Sequence, residues 1–433
     1  MDEKINGENG KSFNLLQAAK WYWPEVGGIE TVALRITEAV KDNAEVNVLV
    51  CSEKKKREVQ TDEDGVCVYR AKTPLTLFST PLSFDYIRTF RRMAKDADII
   101  QLHAPFPLSD LAYFLSSGKC KKAKKVLWWH SDVVKQKKLM LFYKPLMKWV
   151  LKHVDKIYVA SMRIAEQSAY LGDYMDKVEV IPFGISIGDY DSAERYPILT
   201  DKLTDKNNAK ILFVGRLVYY KGIDVLIEAM AKTSGAELFV IGGGELDEML
   251  KKRVAELGIE DKIHFLGRVD DKDLLAAFSD SDVFVLPSVS RAECFGIVQM
   301  EAMVYGKPVI NTSLETAVPE VSLHGETGLT VTPGDIDELA EAINKLASDK
   351  ELRESYGTNA RKRCLELYDV ERMKKSIYDS YVKLLAENEN AESEAEDAQN
   401  KSAEQTDENS GNDAKDAENA DVSEEVGTSA NES

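Results

Sequence analysis

Short apolar runs alternate with helical patterns along most of this chain. Phe13–Lys20, Glu45–Cys51, Val66–Arg70, Asp98–His103, Lys125–Trp129, Lys156–Ala160 and Val178–Ile181 read as strands. Between them apolar residues recur at helical spacing, most clearly at Ile29, Val32, Ala33, Ile36 and Val40. A second alternation opens at Lys210–Val214 and runs through Ala236–Ile241, Lys262–Leu266, Val283–Leu286 and Lys307–Asn311. Continuous apolar strands separated by helices predict parallel sheets covered on both faces. A polar connector, Gly184–Asn208, separates the two alternations, and Glu351–Ala386 holds two further helical patterns.

The length of 433 residues accommodates two domains of ordinary size with extensions. Five cysteines, an odd number without a CxxC pair, suit a reducing cytoplasm and argue against a disulfide frame or a zinc site. The first twelve residues are polar, with no signal-peptide pattern, and no apolar run reaches the length of a membrane span. The net charge of −18 is concentrated at one end. Residues 387–433 hold 16 Asp and Glu against 2 Lys, which leaves −4 for the other 386 residues. That stretch has no Leu, Ile, Phe, Trp or Tyr to offset the entropy of ordering, so it is expected to be a disordered acidic tail.

The chemistry concentrates where strands end, because ligands of doubly wound sheets bind beyond the carboxyl ends of the strands. In DVFVLPSVSRAECFGIVQMEAMVYGKPVIN, residues 282–311, a buried strand leads through a polar loop to Gly296 and a helix that stops at Gly306. A glycine before a helix start makes an anion site from unpaired amides. Two carboxylates frame it: Glu293 on the loop and Glu301 in the helix's apolar face, where an unpaired charge is costly. A carboxylate accepts hydrogen bonds well from vicinal hydroxyls. Gly27-Gly28 precede an earlier helix with Glu30 in its first turn. Arg216 and Lys221 follow the Lys210–Val214 strand, and either can hold phosphate oxygens. Two of the five histidines, His103 and His130, stand at strand ends, the latter followed by Asp132.

The Glu293–Glu301 element, with Phe295-Gly296-Ile297 between, resembles the signature of retaining glycosyltransferase family 4, and the resemblance covers roughly residues 12–386. It implies a GT-B fold: two facing Rossmann-like domains, residues 1–190 on the acceptor side and 209–366 on the nucleotide-sugar side. A linker would span 191–208, and a helix at 367–386 would cross back to the first domain, followed by the tail at 387–433. It implies that Glu301 holds the donor ribose and that Glu293 acts catalytically on hydroxyls of the donor sugar. The amides of Phe295, Gly296, Ile297 and Val298 would hold the diphosphate and sugar. Gly27 and Gly28 match the family's first glycine loop, and Arg216 with Lys221 its diphosphate element. Arg268-Val269 falls where the family places the nucleotide base. His130 in HSD resembles the catalytic, acceptor-side histidine motif, with Asp132 and His103 beside it.

The implied reaction moves a hexose from a nucleotide-sugar, GDP-mannose or a UDP-hexose, to a glycan or lipid-linked acceptor, as in bacterial polysaccharide and O-antigen synthesis. It needs no protein nucleophile and no cofactor. No metal is expected, because the Asp280–Asp282 triplet precedes its strand instead of ending it. A nucleotide-sugar epimerase and a non-catalytic nucleotide-sugar sensor are the rival readings. Lys119–Arg163 carries 13 Lys and Arg against 2 Asp, and LMLFYKPLMKWVLKH within it suits an interfacial helix, begun by Pro145, or one packed on its own domain. An anionic membrane face is thus a possible partner of a cytoplasmic, peripheral protein. Nucleic acid is not expected, for no recognition motif accompanies the charge.

Overall fold

A computed structural model describes residues 12–25, 27–52, 54, 56–77, 80–132 and 137–387, residues 137–139 by backbone alone. The first alternation supplies strands β1 (Phe13–Ala18), β2 (Ala44–Cys51), β3 (Glu58–Thr61), β4 (Cys67–Ala71), β5 (Leu75–Leu77), β6 (Thr80–Leu82), β7 (Ile99–Ala104), β8 (Lys124–Trp129), β9 (Lys156–Val159) and β10 (Val178–Val180). Eight of them form one sheet in the order β10-β9-β8-β7-β1-β2-β4-β3. Its pairings are parallel except at the edge, where β3 runs antiparallel to β4. β5 and β6 form a separate hairpin.

The second alternation supplies β11 (Ala209–Val214), β12 (Ala236–Ile241), β13 (Ile263–Gly267), β14 (Val283–Val285), β15 (Val309–Thr312) and β16 (Gly328–Val331), all parallel, in the order β13-β12-β11-β14-β15-β16. β12 is buried at every position, as a strand covered by helices on both faces must be. The strand order reverses beside β11 and β14, and a crevice opens at the carboxyl ends of neighbouring strands at such a switch point. Arg216, Lys221 and Glu293 all lie in the segments that follow these two strands. The fold is therefore GT-B, two Rossmann-like parallel sheets in one chain.

The domains exchange chain at a backbone crossing. Ile185 N–H donates to Tyr368 O and Val370 N–H to Ile185 O, each at 2.9 Å. A Cβ on Gly184 would stand 2.6 Å from Val370 Cα, so only glycine lets the strands cross. A final helix covers residues 370–387. Its first turns return to the N-terminal domain, where Lys374 Nζ lies 3.3 Å from Glu38 Oε2 and Met373 Sδ accepts from Gly184 N–H at 3.3 Å. Arg163 Nη2 reaches from the N-terminal domain to Leu314 O at 3.3 Å.

Two expectations change. Pro145 lies inside the helix Lys137–His153 instead of starting it. One lost backbone bond is tolerated there because Met147, Val150 and Leu151 bury the opposite face. Glu387 closes the final helix instead of opening the tail, since the Leu384–Glu387 turn still has helical pattern. The antiparallel β3 and the β5–β6 hairpin were not legible, being short and largely exposed. The remaining acidic stretch, 388–433, and its expected disorder lie outside the described residues, as do Lys135 and the side chains of Lys137 and Lys138.

Candidate active site

The Glu293–Glu301 element is built on a rigid platform. β14 ends in a loop that Gly296, at φ 73°, turns into the helix Val298–Val304. A Cβ at Gly296 would meet Leu286 Cδ2 at 2.5 Å and Gln299 Nε2 at 2.9 Å, so both conformation and space demand glycine. The helix is anchored by buried amides: Asn311 Nδ2 donates to Gln299 Oε1 (2.9 Å) and Val318 O (3.0 Å), and Gln299 Nε2 to Phe295 O (3.1 Å). The amides of Gln299 and Met300 close onto Gly296 O and Ile297 O at 2.9 Å each, which leaves those of Phe295 to Val298 as the ligand-facing candidates.

The loop before the helix is tied to the turn after β11. Val289 N–H donates to Tyr220 O at 2.9 Å, and Gly222 abuts Pro287 O. This contact brings Lys221 to Glu293, with Nζ 2.5 Å from Oε2, both side chains nearly buried at 12% and 11% exposure. Ser288 Oγ donates to the same carboxylate oxygen at 3.1 Å. Arg216 is exposed nearby and donates to Tyr220 Oη at 3.1 Å.

Glu301 opens into a cleft of about 410 Å³ between the domains. Thr31, Val32 and Arg35 of the helix Gly28–Val40 line one side; Phe183, Tyr190, Asp271, Leu274 and Ile297 line the others. Burial pushes the Glu301 carboxyl up from its ordinary range, opposed by a hydrogen bond from Tyr190 and the charge of Lys221. Gly27 and Gly28 stand at the start of that first helix, ahead of the cleft-lining Thr31.

The two strand-end histidines meet. His103 Nδ1 lies 3.0 Å from His130 Nε2, and both rings are buried. His103 Nε2 is buried without a protein partner, so the tautomer that leaves no orphan N–H has His103 Nδ1–H donating to His130. Burial holds both in the neutral form, His103 down to about 3 and His130 well below its ordinary value, the latter also by proximity to His103. His130 stacks on Phe183 (6.5 Å), and Phe183 meets Phe295 edge to face (4.9 Å), which joins the pair to the wall of the cleft and the glycine loop.

Three sequence candidates lie outside the lining of the cleft that Glu301 enters. Asp132 accepts from Trp129 Nε1 (3.2 Å), Ser168 Oγ (2.7 Å) and Ala169 N–H (3.0 Å), so its carboxylate braces the loop after β8 and is not turned to His130. Val269 lines a separate surface hollow with Tyr196, Leu266 and Asp273, and Arg268 lies exposed over Gly243. Sequence reasoning missed Arg35 and Asp271 as wall residues. It also missed Tyr190, which stood in a stretch read only as a polar connector.

The class defined by this fold and cleft is the GT-B glycosyltransferase. Residues 26–188 match the family model Glycosyltransferase Family 4 and residues 198–363 the model Glycosyl transferases group 1. The chain is 34% identical over 357 residues to D-rhamnosyltransferase WbpZ of Pseudomonas aeruginosa, covering 82% of this chain and 92% of that one. It is 31% identical over 374 residues to O-antigen chain mannosyltransferase C of Escherichia coli, covering 86% and 98%. The fold is also that of sucrose-phosphate synthase from Thermosynechococcus elongatus (TM-score 0.70, 21% identity, 86% and 99% covered). Anabaena Alr3699/HepE, solved in complex with UDP-glucose, superposes equally well (TM-score 0.70, 22% identity, 86% and 100% covered). The protein belongs to the group 1 glycosyltransferases, family 4.

Proposed function

We propose that the protein transfers a hexose from a nucleotide-sugar, GDP-mannose or a UDP-hexose, to a glycan or lipid-linked acceptor in polysaccharide synthesis, with retention of anomeric configuration. The observation that carries this reading is the Lys221–Glu293 pair at 2.5 Å, which joins the turn after β11 to the loop that leads to Glu301 and its cleft. Relatives that act in O-antigen assembly support the acceptor class.

In this reading Glu301 accepts the ribose hydroxyls, and Lys221, Arg216 and the Phe295–Val298 amides meet the diphosphate. As the bond from the anomeric carbon to the diphosphate breaks, negative charge grows on the leaving oxygen, and these fixed donors stabilise it. The acceptor oxygen bonds to the same face of the carbon, and its proton passes to the departing diphosphate oxygen. No protein nucleophile is needed. Glu293, held by Lys221 and Ser288, would orient hydroxyls of the donor sugar, and His130, neutral at working pH, would offer a hydrogen bond and not a charge.

The test is transfer itself. Incubation with each candidate donor and a lipid-linked or oligosaccharide acceptor should release nucleoside diphosphate and give a product whose NMR coupling constants report the donor's own anomeric configuration. EDTA should leave the rate nearly unchanged. An inverted product, a rate abolished by EDTA and restored by Mg²⁺, or a new nucleotide-sugar formed from donor alone would each overturn the reading.

A further inference from the structure

We infer that Tyr190 is a positioning residue for the nucleotide site, holding the Glu301 carboxylate in the orientation and charge state that a ribose diol requires. The inference rests on the assignment of Glu301 to the ribose. Tyr190 Oη donates to Glu301 Oε1 at 3.0 Å, and both residues line the interdomain cleft.

The surroundings make this hydroxyl the principal direct support of the carboxylate. Lys221, a nearby cation whose charge reaches Glu301, is committed to Glu293 at 2.5 Å. The other charged groups on the cleft wall are Arg35 from the helix Gly28–Val40, Asp189 beside Tyr190 and Asp271 from the helix Asp271–Asp280. Arg35 is already bonded to Glu38 at 2.8 Å, and the charge of Asp271 opposes ionisation of Glu301. A recessed carboxylate without a donor would take up a proton, and a protonated carboxyl accepts a diol poorly.

Tyr190 is itself held firmly. It sits on the short helix Ile187–Ser192, which follows the Ile185–Asp369 crossing between the domains. The next residue but none, Asp191, pairs with Arg361 at 2.8 Å, and the Tyr190 ring meets Tyr305 edge-on at 5.9 Å. The hydroxyl therefore transmits the position of the crossing segment to the ribose carboxylate. One oxygen of Glu301 is braced by Tyr190 while its other oxygen and remaining lone pairs serve the ligand.

The sign of the pH effect follows. Burial raises the Glu301 pKa and the Tyr190 hydrogen bond lowers it. Nucleotide binding through the ionised carboxylate is present above that pKa and lost as pH falls through it. Removing the hydroxyl raises the pKa, so the acid limb of binding moves to higher pH.

The experiment is calorimetry with GDP and with UDP on wild type, Tyr190→Phe, Glu301→Gln and the double variant, from pH 5 to 8. Phenylalanine keeps the contact with Tyr305. Tyr190→Phe is expected to weaken binding of whichever nucleotide wild type takes by about tenfold. It should also shift the acid limb upward and leave kcat at saturating donor near wild type. In the Glu301→Gln background the same substitution should change nothing further. An unchanged Kd and limb in Tyr190→Phe would overturn the inference, as would an equal loss in both backgrounds. Failure of the ribose assignment is a separate result: Glu301→Gln alone would then bind as wild type does.

Discussion

Lys221 Nζ and Glu293 Oε2 stand 2.5 Å apart in a nearly buried pocket, although one residue follows β11 and the other β14. The strand order explains the meeting, because β11 and β14 are hydrogen-bonded neighbours and both loops leave their carboxyl ends. Breaking one side of such a pair strands a buried charge, which costs about 3–5 kcal/mol, whereas removing both sides costs much less. Lys221→Ala should therefore lower unfolding free energy by about 3 kcal/mol in urea, and Lys221→Ala/Glu293→Ala should recover most of it. Both variants should lack transfer activity. Equal stability of the single and double variants would show that the pair is not coupled.

Glu301 and Glu293 should separate in function. Glu301→Ala removes a charged acceptor from the nucleotide and should weaken nucleoside diphosphate binding by about 1.5–3 kcal/mol. Glu293→Ala should lower turnover with the sugar nucleotide and leave diphosphate affinity close to wild type. Calorimetry with GDP and UDP, set beside initial rates, checks both. A Glu301→Ala variant that binds as wild type does would remove the ribose assignment.

Much of this was legible because chemistry and local pattern coincide. Glu293, Gly296 and Glu301 lie within one strand–loop–helix unit, so the sequence itself sets their order along the site. Tyr190 and Arg35 could not be found that way, because their relation to Glu301 depends on how the two domains meet. Asp132 shows the converse. Its place after His130 suggested a functional pair, but the side chain satisfies Trp129 at the end of its own strand, and Ser168 and Ala169, which the loop following the short helix Met162–Glu166 brings to it. Adjacency in sequence gives no direction to a side chain. The β5–β6 hairpin escaped because three exposed residues carry too little periodicity to read.

The His103–His130 pair should be silent in the physiological range. Both folded-state pKa values are depressed, so the rings stay neutral above pH 6.5, and transfer should show no ionisation there that belongs to them. The unfolded chain, with ordinary histidines, binds more protons below pH 6.5 than the native state does. Stability from this source is thus complete above pH 6.5 and declines as pH falls toward about 3, at about 1.4 kcal/mol per pH unit for His103. His103→Gln lacks that penalty. Its stability deficit relative to wild type, measured in urea at pH 7, should shrink by about 2 kcal/mol at pH 5. A constant deficit would mean that His103 titrates normally.

The last prediction concerns the acceptor's setting. Among the described residues no helix is long and apolar enough to cross a membrane. The helix Lys137–His153 contains five lysines and no acidic residue. Its Met147, Val150 and Leu151 are buried, and Trp149 packs against Phe114 at 4.9 Å and His153 at 4.2 Å. The outer face remains apolar: Leu141 is 76% and Phe142 87% exposed, and Leu111, Phe114 and Leu115 of the neighbouring helix Pro107–Ser116 are also exposed. Lys144, Lys148 and Lys152 are exposed along the same helix. Lysines beside anionic lipid contribute about 1 kcal/mol each, and exposed Leu and Phe add insertion into the interface. The protein should co-sediment with anionic vesicles at low salt, be released at high salt and ignore neutral vesicles. Lys144→Glu, Lys148→Glu and Lys152→Glu together should abolish sedimentation while nucleotide affinity stays unchanged, and Phe142→Ser should weaken it. If wild type stays in the supernatant with anionic vesicles at low salt, the lysines are only solvated, and the acceptor must be one that reaches the enzyme without a lipid surface.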